Sequence, residues 1–183
     1  MENKIVQNGA AVLRQKAAEI PLAEIGGAKI KTLIAEMQAA LLSQDDGVAL
    51  AAPQVGAALR LFIVSKAALA LPVALKERDK VRERRAFKKK EGYFVFINPR
   101  LTKLSREKTL LEEGCLSVRP LYGMITRSKK ATITAHDETG KKFTRGASGL
   151  LAQVFQHETD HLDGILFIDK ATELHEMKND YED

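Results

Sequence analysis

Two histidines and a glutamate near the end of the chain have the spacing of a metal-dependent hydrolase. His157, Glu158 and His161 form the pattern H-E-x-x-H within QHETDHLDGILF, residues 156–167. In this pattern the imidazoles bind a metal one helical turn apart, and the glutamate serves as general base. A longer peptidase motif would need a third histidine at position 167, where this chain has phenylalanine. The pattern therefore predicts two ligands and leaves a third to be found.

The element that carries these histidines is predicted to be a helix over residues 148–164, with Ser148 as a possible N-cap. Four residues fall on one face of that helix, at i, i+4, i+7 and i+11: Leu150, Val154, His157 and His161. We expect the two aliphatic residues to bury this face, so that both imidazoles point inward. Core histidines bonded to backbone are the alternative, but a pair one turn apart favours a metal site.

Four residues could supply the third ligand: Glu173, His175, Glu176 and Cys115. A downstream glutamate completes the site in one large class of H-E-x-x-H peptidases. Here, however, the downstream candidates lie in an acidic tail, residues 169–183, which has few apolar anchors and is expected to fray. The cysteine is the only one in the chain, and by itself it fits a packing residue as well as a ligand. The residue types alone leave this choice open.

The remaining composition indicates one ordinary globular domain over residues 1–183. Hydrophobic residues make up 45% of the chain and charged residues 29%. A single cysteine excludes an intrachain disulfide and favours a reducing compartment. The sequence shows neither an apolar signal or transit segment nor a membrane span. We therefore expect a bacterial cytoplasmic protein with no membrane partner.

The basic charge is concentrated in one segment. The chain carries a net charge of +5. Residues 76–90, KERDKVRERRAFKKK, hold nine basic and three acidic side chains. We expect residues 66–92 to be a basic insertion outside the core, either a solvated loop or an arm that contacts a polyanion.

Hydrophobic periodicity predicts the other elements. A helix is expected over residues 27–47, ended by Gly47. Two short apolar runs predict buried strands, and the second is expected to stop at Asn98-Pro99. A hairpin is expected about an Asp137–Gly140 turn. The two strands and the hairpin cover residues 59–65, 93–99 and 130–147.

Three stretches, in order and spacing, resemble the motifs of peptide deformylases: GVALAAPQ (47–54), EGCLS (113–117) and QHETDH (156–161). The resemblance covers about 5–65 and 93–170. It implies an α+β fold, in which mixed or antiparallel β-sheets pack around a central C-terminal helix that carries H-E-x-x-H.

The resemblance also implies a chemistry: removal of the N-formyl group from formyl-methionyl peptides, with release of formate. It implies metal ligation by Cys115, His157 and His161, with water in the fourth position. The metal would be Fe(II), with Zn, Ni or Co able to replace it. Glu158 would move the proton, and the oxyanion would accept from the Gln54 side chain and the Leu116 backbone N–H.

The substrate side of the site is predicted by position only. The methionine pocket is expected near four residues: Val48, Leu121, Tyr122 and Phe155. Asp160 and Arg106 are candidates for orienting the metal ligands.

The chain departs from common family patterns at several places. Ala49 stands where glycine is usual, Tyr122 stands near where some members carry an arginine, and NGAAVLR lacks a proline often found there. The tail is short and acidic, whereas some bacterial members have a longer basic helix that docks on the ribosome. This difference suggests that residues 76–90 contact ribosomal RNA instead.

Two other functions stay open on the sequence. One is a zinc peptidase with Glu173 or Glu176 as third ligand. The other is a catalytically vestigial ribosome-binding homologue.

Overall fold

Two antiparallel sheets and three helices make up the computed structural model, which describes residues 5–70 and 91–176. The larger sheet has the order β1-β2-β3-β6-β7 and the smaller one the order β4-β5-β8. The strands are β1 (Ala49–Ala51), β2 (Leu61–Ser65), β3 (Tyr93–Leu104), β4 (Lys108–Gly114), β5 (Leu121–Ser128), β6 (Lys130–His136), β7 (Lys142–Ser148) and β8 (Thr172–Glu176). The helices are α1 (Ala28–Leu42), α2 (Lys66–Ala70) and α3 (Gly149–Leu162). The predicted α+β class is confirmed.

The larger sheet is covered on both faces, which explains why β2 is apolar without alternation. Leu61 and Ile63 of β2 pack in the cluster that includes α1. Phe62 and Val64 point to the other face and pack in the cluster that includes α3. The Phe155 ring of α3 packs edge-on against the Phe96 ring of β3, with centroids 5.2 Å apart. Helix α3 is thereby held against the sheet, so that the histidines it carries have fixed positions.

The strand predicted to stop at Asn98-Pro99 continues to Leu104, so this boundary was wrong. A register shift between Ile97 and Arg100 accommodates the proline, which cannot donate to the ladder. Asn98 has φ 50°, and its side chain bonds the backbone N–H and C=O of Ile20 at 2.8 and 2.7 Å. Side-chain bonds to a distant segment therefore stabilise a bulge at a position where the local sequence predicted the end of the strand.

The predicted first helix is shorter than expected, because α1 ends at Leu42 and not at Gly47. A Cβ on Gly47 would lie 2.6 Å from the Leu41 side chain. This glycine therefore packs closely against the end of α1, which differs from the C-terminal capping role that the sequence suggested.

The tail was predicted to fray, and residues 172–176 contradict this. They form β8, which pairs with β5 at Leu121↔Glu176 and Tyr122↔His175. All five of its side chains are exposed. Backbone pairing to an existing sheet edge therefore holds the strand, although its side chains are exposed.

The hairpin about Asp137 is confirmed, with β6 and β7 paired from Lys130↔Ser148 to His136↔Lys142. Ser148 occupies the N-cap position of α3, although its side chain makes no capping bond. Leu150 was expected to be buried but is 46% exposed, because it lines a cavity that is open to solvent.

Two sequence predictions remain predictions. Of the predicted insertion over 66–92, residues 71–90 lie outside the described residues, whereas residues 66–70 form α2 with Ala67 fully buried, so this part was wrongly placed outside the core. Nothing in the fold tests a single domain over 1–183. Within the described part of the chain, no helix is long and apolar enough to cross a membrane.

Candidate metal centre

Cys115, His157 and His161 come together at one point, although the first is about forty residues from the others in sequence. The cysteine Sγ and the histidine ring nitrogens all lie within 4.8 Å of one another. Sγ is 3.2 Å from Nε2 of His161. The two imidazole rings meet edge to face, with centroids 4.9 Å apart. In the part of the chain that the structure describes, these three residues form the cluster that can share a metal ion.

Cys115 is positioned by the end of β4 and by a close contact at the preceding glycine. A Cβ on Gly114 would lie 2.7 and 2.9 Å from two carbons of the Tyr122 ring. No side chain fits there unless the ring or the backbone moves. The glycine therefore lets the tyrosine of β5 lie directly on the strand that delivers the thiol.

Glu113, which the sequence analysis did not single out, orients His157. Its Oε2 is 2.9 Å from Nδ1 of His157. A ring that donates from Nδ1 to a carboxylate presents the lone pair of Nε2 on its other side, towards the cysteine. Glu113 is the first residue of the motif EGCLS, and this position is the sequence feature from which its role could have been predicted.

A buried ion-pair network holds Glu113 in turn. Arg127 donates from Nε and Nη2 to the two carboxylate oxygens of Glu113 at 2.8 and 2.9 Å, and from Nη1 to Asp160 at 2.6 Å. Burial alone would raise the pKa of Glu113, but hydrogen bonds from Arg127 and His157 outweigh it and lower that pKa to about 2. Asp160 thus acts through Arg127, and Arg106, the other predicted orienting residue, is exposed and does not belong to this network.

Arg127→Met is expected to destabilise the protein by about 3–5 kcal/mol, because it removes the guanidinium that pairs with the buried Glu113 carboxylate. Denaturant unfolding measures this loss. Arg100→Met is the matched control, since Arg100 pairs with Glu19 at 2.6 Å on the surface, where such a pair contributes less than about 1 kcal/mol. Equal effects of the two substitutions would contradict the role given to the network.

Glu158 faces the same cavity as two of the three ligands, Cys115 and His157. Its side chain is buried, and Oε2 has no hydrogen-bond partner among the described residues. Burial raises the pKa of Glu158 to about 7; His157 opposes this rise and Glu113 adds to it. A carboxyl group with a pKa near neutrality can both accept and return a proton.

Gln54 directs its amide nitrogen towards Cys115. It lies on a short 3₁₀ helix, Ala52–Val55, and its Oε1 accepts from the backbone N–H of Ala51 at 2.8 Å. Nε2 then donates to Ser117 at 3.1 Å and lies 3.5 Å from the cysteine Sγ. Because a backbone donor fixes the oxygen end, the NH₂ end has to face the thiol.

A cavity of about 310 Å³ runs from these groups to the surface. Of the four residues predicted to form the methionine pocket, Val48 and Tyr122 line it. Leu121 and Phe155 do not: the first packs in a separate cluster, and the second is fully buried between α3 and the sheet. Both errors arise because sequence proximity does not determine the direction in which a side chain points.

The donor set fits a divalent metal. A thiolate and two imidazoles form a tetrahedral site with one open position. Burial alone would lower the pKa of His157, but hydrogen bonds with Cys115 and Glu113 raise it well above its ordinary value. These two neighbours stabilise positive charge at this point, and a divalent cation supplies such charge.

The downstream candidates for the third ligand are not part of this site. Glu173, His175 and Glu176 lie exposed on β8, and His175 Nε2 is 3.2 Å from Glu112. The structure therefore favours Cys115 over the ligands that a zinc peptidase would use.

Comparison with known proteins gives a consistent result. The family model described as Polypeptide deformylase matches residues 2–177. The chain is 39% identical over 166 residues to "Peptide deformylase 1A, chloroplastic" of Solanum lycopersicum, covering 91% of this chain and 58% of that protein. It is 34% identical over 162 residues to "Peptide deformylase 2" of Clostridium acetobutylicum, covering 88% of this chain and 90% of that protein.

Solved structures agree with the sequence relatives. The crystal structure of Arabidopsis thaliana peptide deformylase 1B has a TM-score of 0.75 and 31% identity to this chain, and the match covers 93% of this chain and 82% of that one. The chain spans only about three fifths of the length of two plant relatives, 58% and 60%. The family match over nearly the whole chain and the shared fold lead to one conclusion: this chain belongs to the polypeptide deformylase family.

Proposed function

We propose that this protein hydrolyses the N-formyl group of formyl-methionyl peptides and releases formate. The observation that carries the proposal is the cluster of three ligands, two of which, Cys115 and His157, line one cavity together with Glu158 and Gln54. Membership of the deformylase family supports the same reaction. We propose newly made polypeptides as the substrate and the bacterial cytoplasm as the location of the reaction.

Cys115, His157 and His161 would hold the metal, for which we propose Fe(II), with Zn, Ni or Co as replacements. A divalent ion there would supply Lewis acidity and lower the pKa of a water molecule in the cavity. The ligand types suit several of these ions, so the choice of metal depends on measurement.

Glu158 moves the proton in this mechanism. With a pKa near 7 it takes a proton from the attacking water and delivers it to the amine nitrogen as the C–N bond breaks. The water oxygen ends in formate, and the peptide leaves with a free amino group.

Gln54 and the backbone N–H of Leu116 are proposed to donate to the oxyanion that forms when water adds to the formyl carbon. The amide nitrogen of Gln54 already points towards this end of the cavity. Neutral donors held in place by other bonds stabilise developing charge without having to reorganise, and one such donor typically contributes about 3–4 kcal/mol.

The peptide chain is proposed to bind as an extended strand between β1 and β4. Both are edge strands, since each stands at the end of its sheet order, and residues of both line the cavity. An added strand gains backbone hydrogen bonds that do not depend on its side chains. Ala49 of β1 lines this path, so its methyl group limits how closely the substrate backbone approaches.

The direct test is formate release from formyl-Met-Ala-Ser by protein reconstituted separately with Fe(II), Ni or Zn. Turnover that survives anaerobic purification and fades in air would identify iron as the working metal. If no metal supports turnover, the proposal is wrong, and the vestigial ribosome-binding homologue becomes the better explanation.

Ribosome contact through residues 76–90 is a further proposal, supported by the nine basic residues of that segment. Neutralising Arg84, Arg85, Lys88, Lys89 and Lys90 together is expected to weaken co-sedimentation with ribosomes. It should also reduce the slope of log affinity against log salt concentration by about one for each phosphate contact that is lost.

A charge-matched control distinguishes this contact from a general effect of lost positive charge. It neutralises five lysines that are exposed elsewhere: Lys16, Lys29, Lys31, Lys141 and Lys142. Equal binding of the two variants across the salt range would rule out a specific role for the segment.

A further inference from the structure

Residues 5–8, which we call the N-terminal clasp, connect the two stretches proposed to supply the oxyanion donors. The Val6 N–H donates to the Gln54 C=O at 2.8 Å, and the Asn8 N–H donates to the Ser117 C=O at 2.7 Å. Gln54 and Ser117 are sixty-three residues apart in sequence. Backbone hydrogen bonds from one short segment therefore hold both stretches at a fixed distance from each other.

The side chain of Gln7 adds a third connection to the same loop. Its Nε2 donates to the Leu116 C=O at 3.0 Å and to the Ile5 C=O at 3.2 Å. An amide nitrogen carries two N–H groups, so both bonds can form at once. The bond to Ile5 fixes the rotation of the amide group, and the bond to Leu116 then connects it to a residue 109 positions away in sequence.

The N-terminal clasp is itself anchored in the core. Ile5 is 7% exposed and belongs to the cluster on the α1 side of the larger sheet. Val6 packs against a different cluster, which includes Val118 and against which Cys115 also packs. The clasp thus lies between two parts of the core, so Gln7 projects from a fixed backbone although its own side chain is exposed.

The direction of the Leu116 N–H depends on the peptide groups around it, because each peptide unit is planar. The plane that carries this N–H also carries the Cys115 C=O, which accepts from the Val118 N–H at 3.0 Å. The next two carbonyls, of Leu116 and Ser117, are the ones bonded by the clasp. Three successive carbonyls therefore have fixed partners, and two of the three partners come from the clasp.

We propose that the N-terminal clasp positions the two oxyanion donors, with Gln7 as the side chain that fixes the peptide groups around the Leu116 N–H. This inference rests on the proposed function and adds a positioning residue to it. None of residues 5–8 lines the cavity, so Gln7 acts through Leu116 and touches neither substrate nor metal. Donors that are fixed before the reaction stabilise developing charge without reorganising, so a loosened loop should slow the chemical step.

Gln7→Met is expected to lower kcat by about three- to tenfold, the effect that follows from one lost hydrogen bond. Methionine has nearly the length of glutamine but no N–H group to donate to the Leu116 C=O. KM for formyl-Met-Ala-Ser and metal per protein should stay at native values, and Tm should stay within about 4 °C of the native value. An unchanged kcat would overturn the proposal, and so would a fall in kcat that is accompanied by an equal fall in metal content.

Two further variants separate the hydrogen bond from a general effect of the substitution. Gln7→Arg restores N–H donors on a long side chain, so it should recover most of the native kcat. Gln15→Met is the matched control, since it makes the same substitution at another exposed glutamine that does not line the cavity, and it should leave kcat unchanged. An arginine variant as slow as the methionine variant, or a control that is equally slow, would contradict the role given to Gln7.

Amide hydrogen exchange of the zinc-reconstituted protein tests the clasp without turnover. Gln7→Met should speed exchange several-fold at Asn8 and Val118, whose N–H groups bond to the loop that the clasp holds. Exchange at Ile63, in the core of the larger sheet, should not change. Native exchange rates at Asn8 and Val118 in the variant would overturn the proposal even if kcat fell.

Failure of the proposed function would look different. In that case the native protein would release no formate with any metal. The exchange rates at Asn8 and Val118 would still decide whether Gln7 holds the loop.

Discussion

Glu158→Gln is expected to lower kcat by about 10²–10⁴-fold, the usual contribution of a positioned acid–base group. The glutamine keeps the size of the side chain but cannot take up and return a proton. Glu158 is buried beside His157, and burial is the main reason that its pKa is raised to about 7. Steady-state formate release from a formyl-Met peptide measures the loss.

Metal content and stability provide the control for this substitution. Because Glu158 is not one of the three clustered ligands, the variant should retain its metal and unfold at a temperature no lower than the native protein does. An equal or higher stability is expected, since the substitution removes an ionisable group from a buried position. A variant that keeps more than a tenth of native kcat would show that another group carries the proton.

Cys115→Ala is expected to lower metal affinity by more than about 100-fold, since losing even a residue that only orients a ligand typically costs 10–100-fold. The two remaining imidazoles make an incomplete site. Metal per protein after gel filtration measures the loss directly. A second readout is independent of activity: chelation should lower the Tm of the native protein, because a bound metal stabilises the folded state, but should leave the Tm of the variant unchanged.

Glu173→Gln and Glu176→Gln are the matched controls for the third ligand. Both residues lie exposed on β8, so each variant should keep its metal. The peptidase alternative predicts the reverse, with metal retained after the cysteine is replaced and lost after one of these glutamates is replaced. That outcome would contradict the site described above.

The sequence by itself determined the chemistry of the site. The H-E-x-x-H spacing places two imidazoles on one helical face whatever the rest of the fold does, because helix periodicity is local. The resemblance of EGCLS and GVALAAPQ to family motifs then added Cys115, Gln54 and Leu116. All three line the cavity together with Glu158 and His157. Of these residues, Cys115 and His157 also belong, with His161, to the cluster that can hold a metal ion.

Elements with local periodicity were also predictable, and those stabilised by distant partners were not. The helix around His157 and the hairpin around Asp137 follow from short-range patterns. The continuation of β3 past Pro99 depends on Asn98 bonding to Ile20, and β8 depends on pairing with β5. Nothing within a window of ten residues indicates either partner.

Only the tertiary structure decided which groups orient the ligands and which charged side chains pair at the mouth of the cavity. Glu113 and Arg127 are fourteen residues apart, and Asp46 and Arg119 are seventy-three apart. Their pairing depends on how β4, β5 and the loop after α1 come together. A charged side chain is long and could pair with many oppositely charged residues of the same chain. Three-dimensional packing decides which of these pairs form. The spacing of the ligands on α3, by contrast, is set by the helix itself.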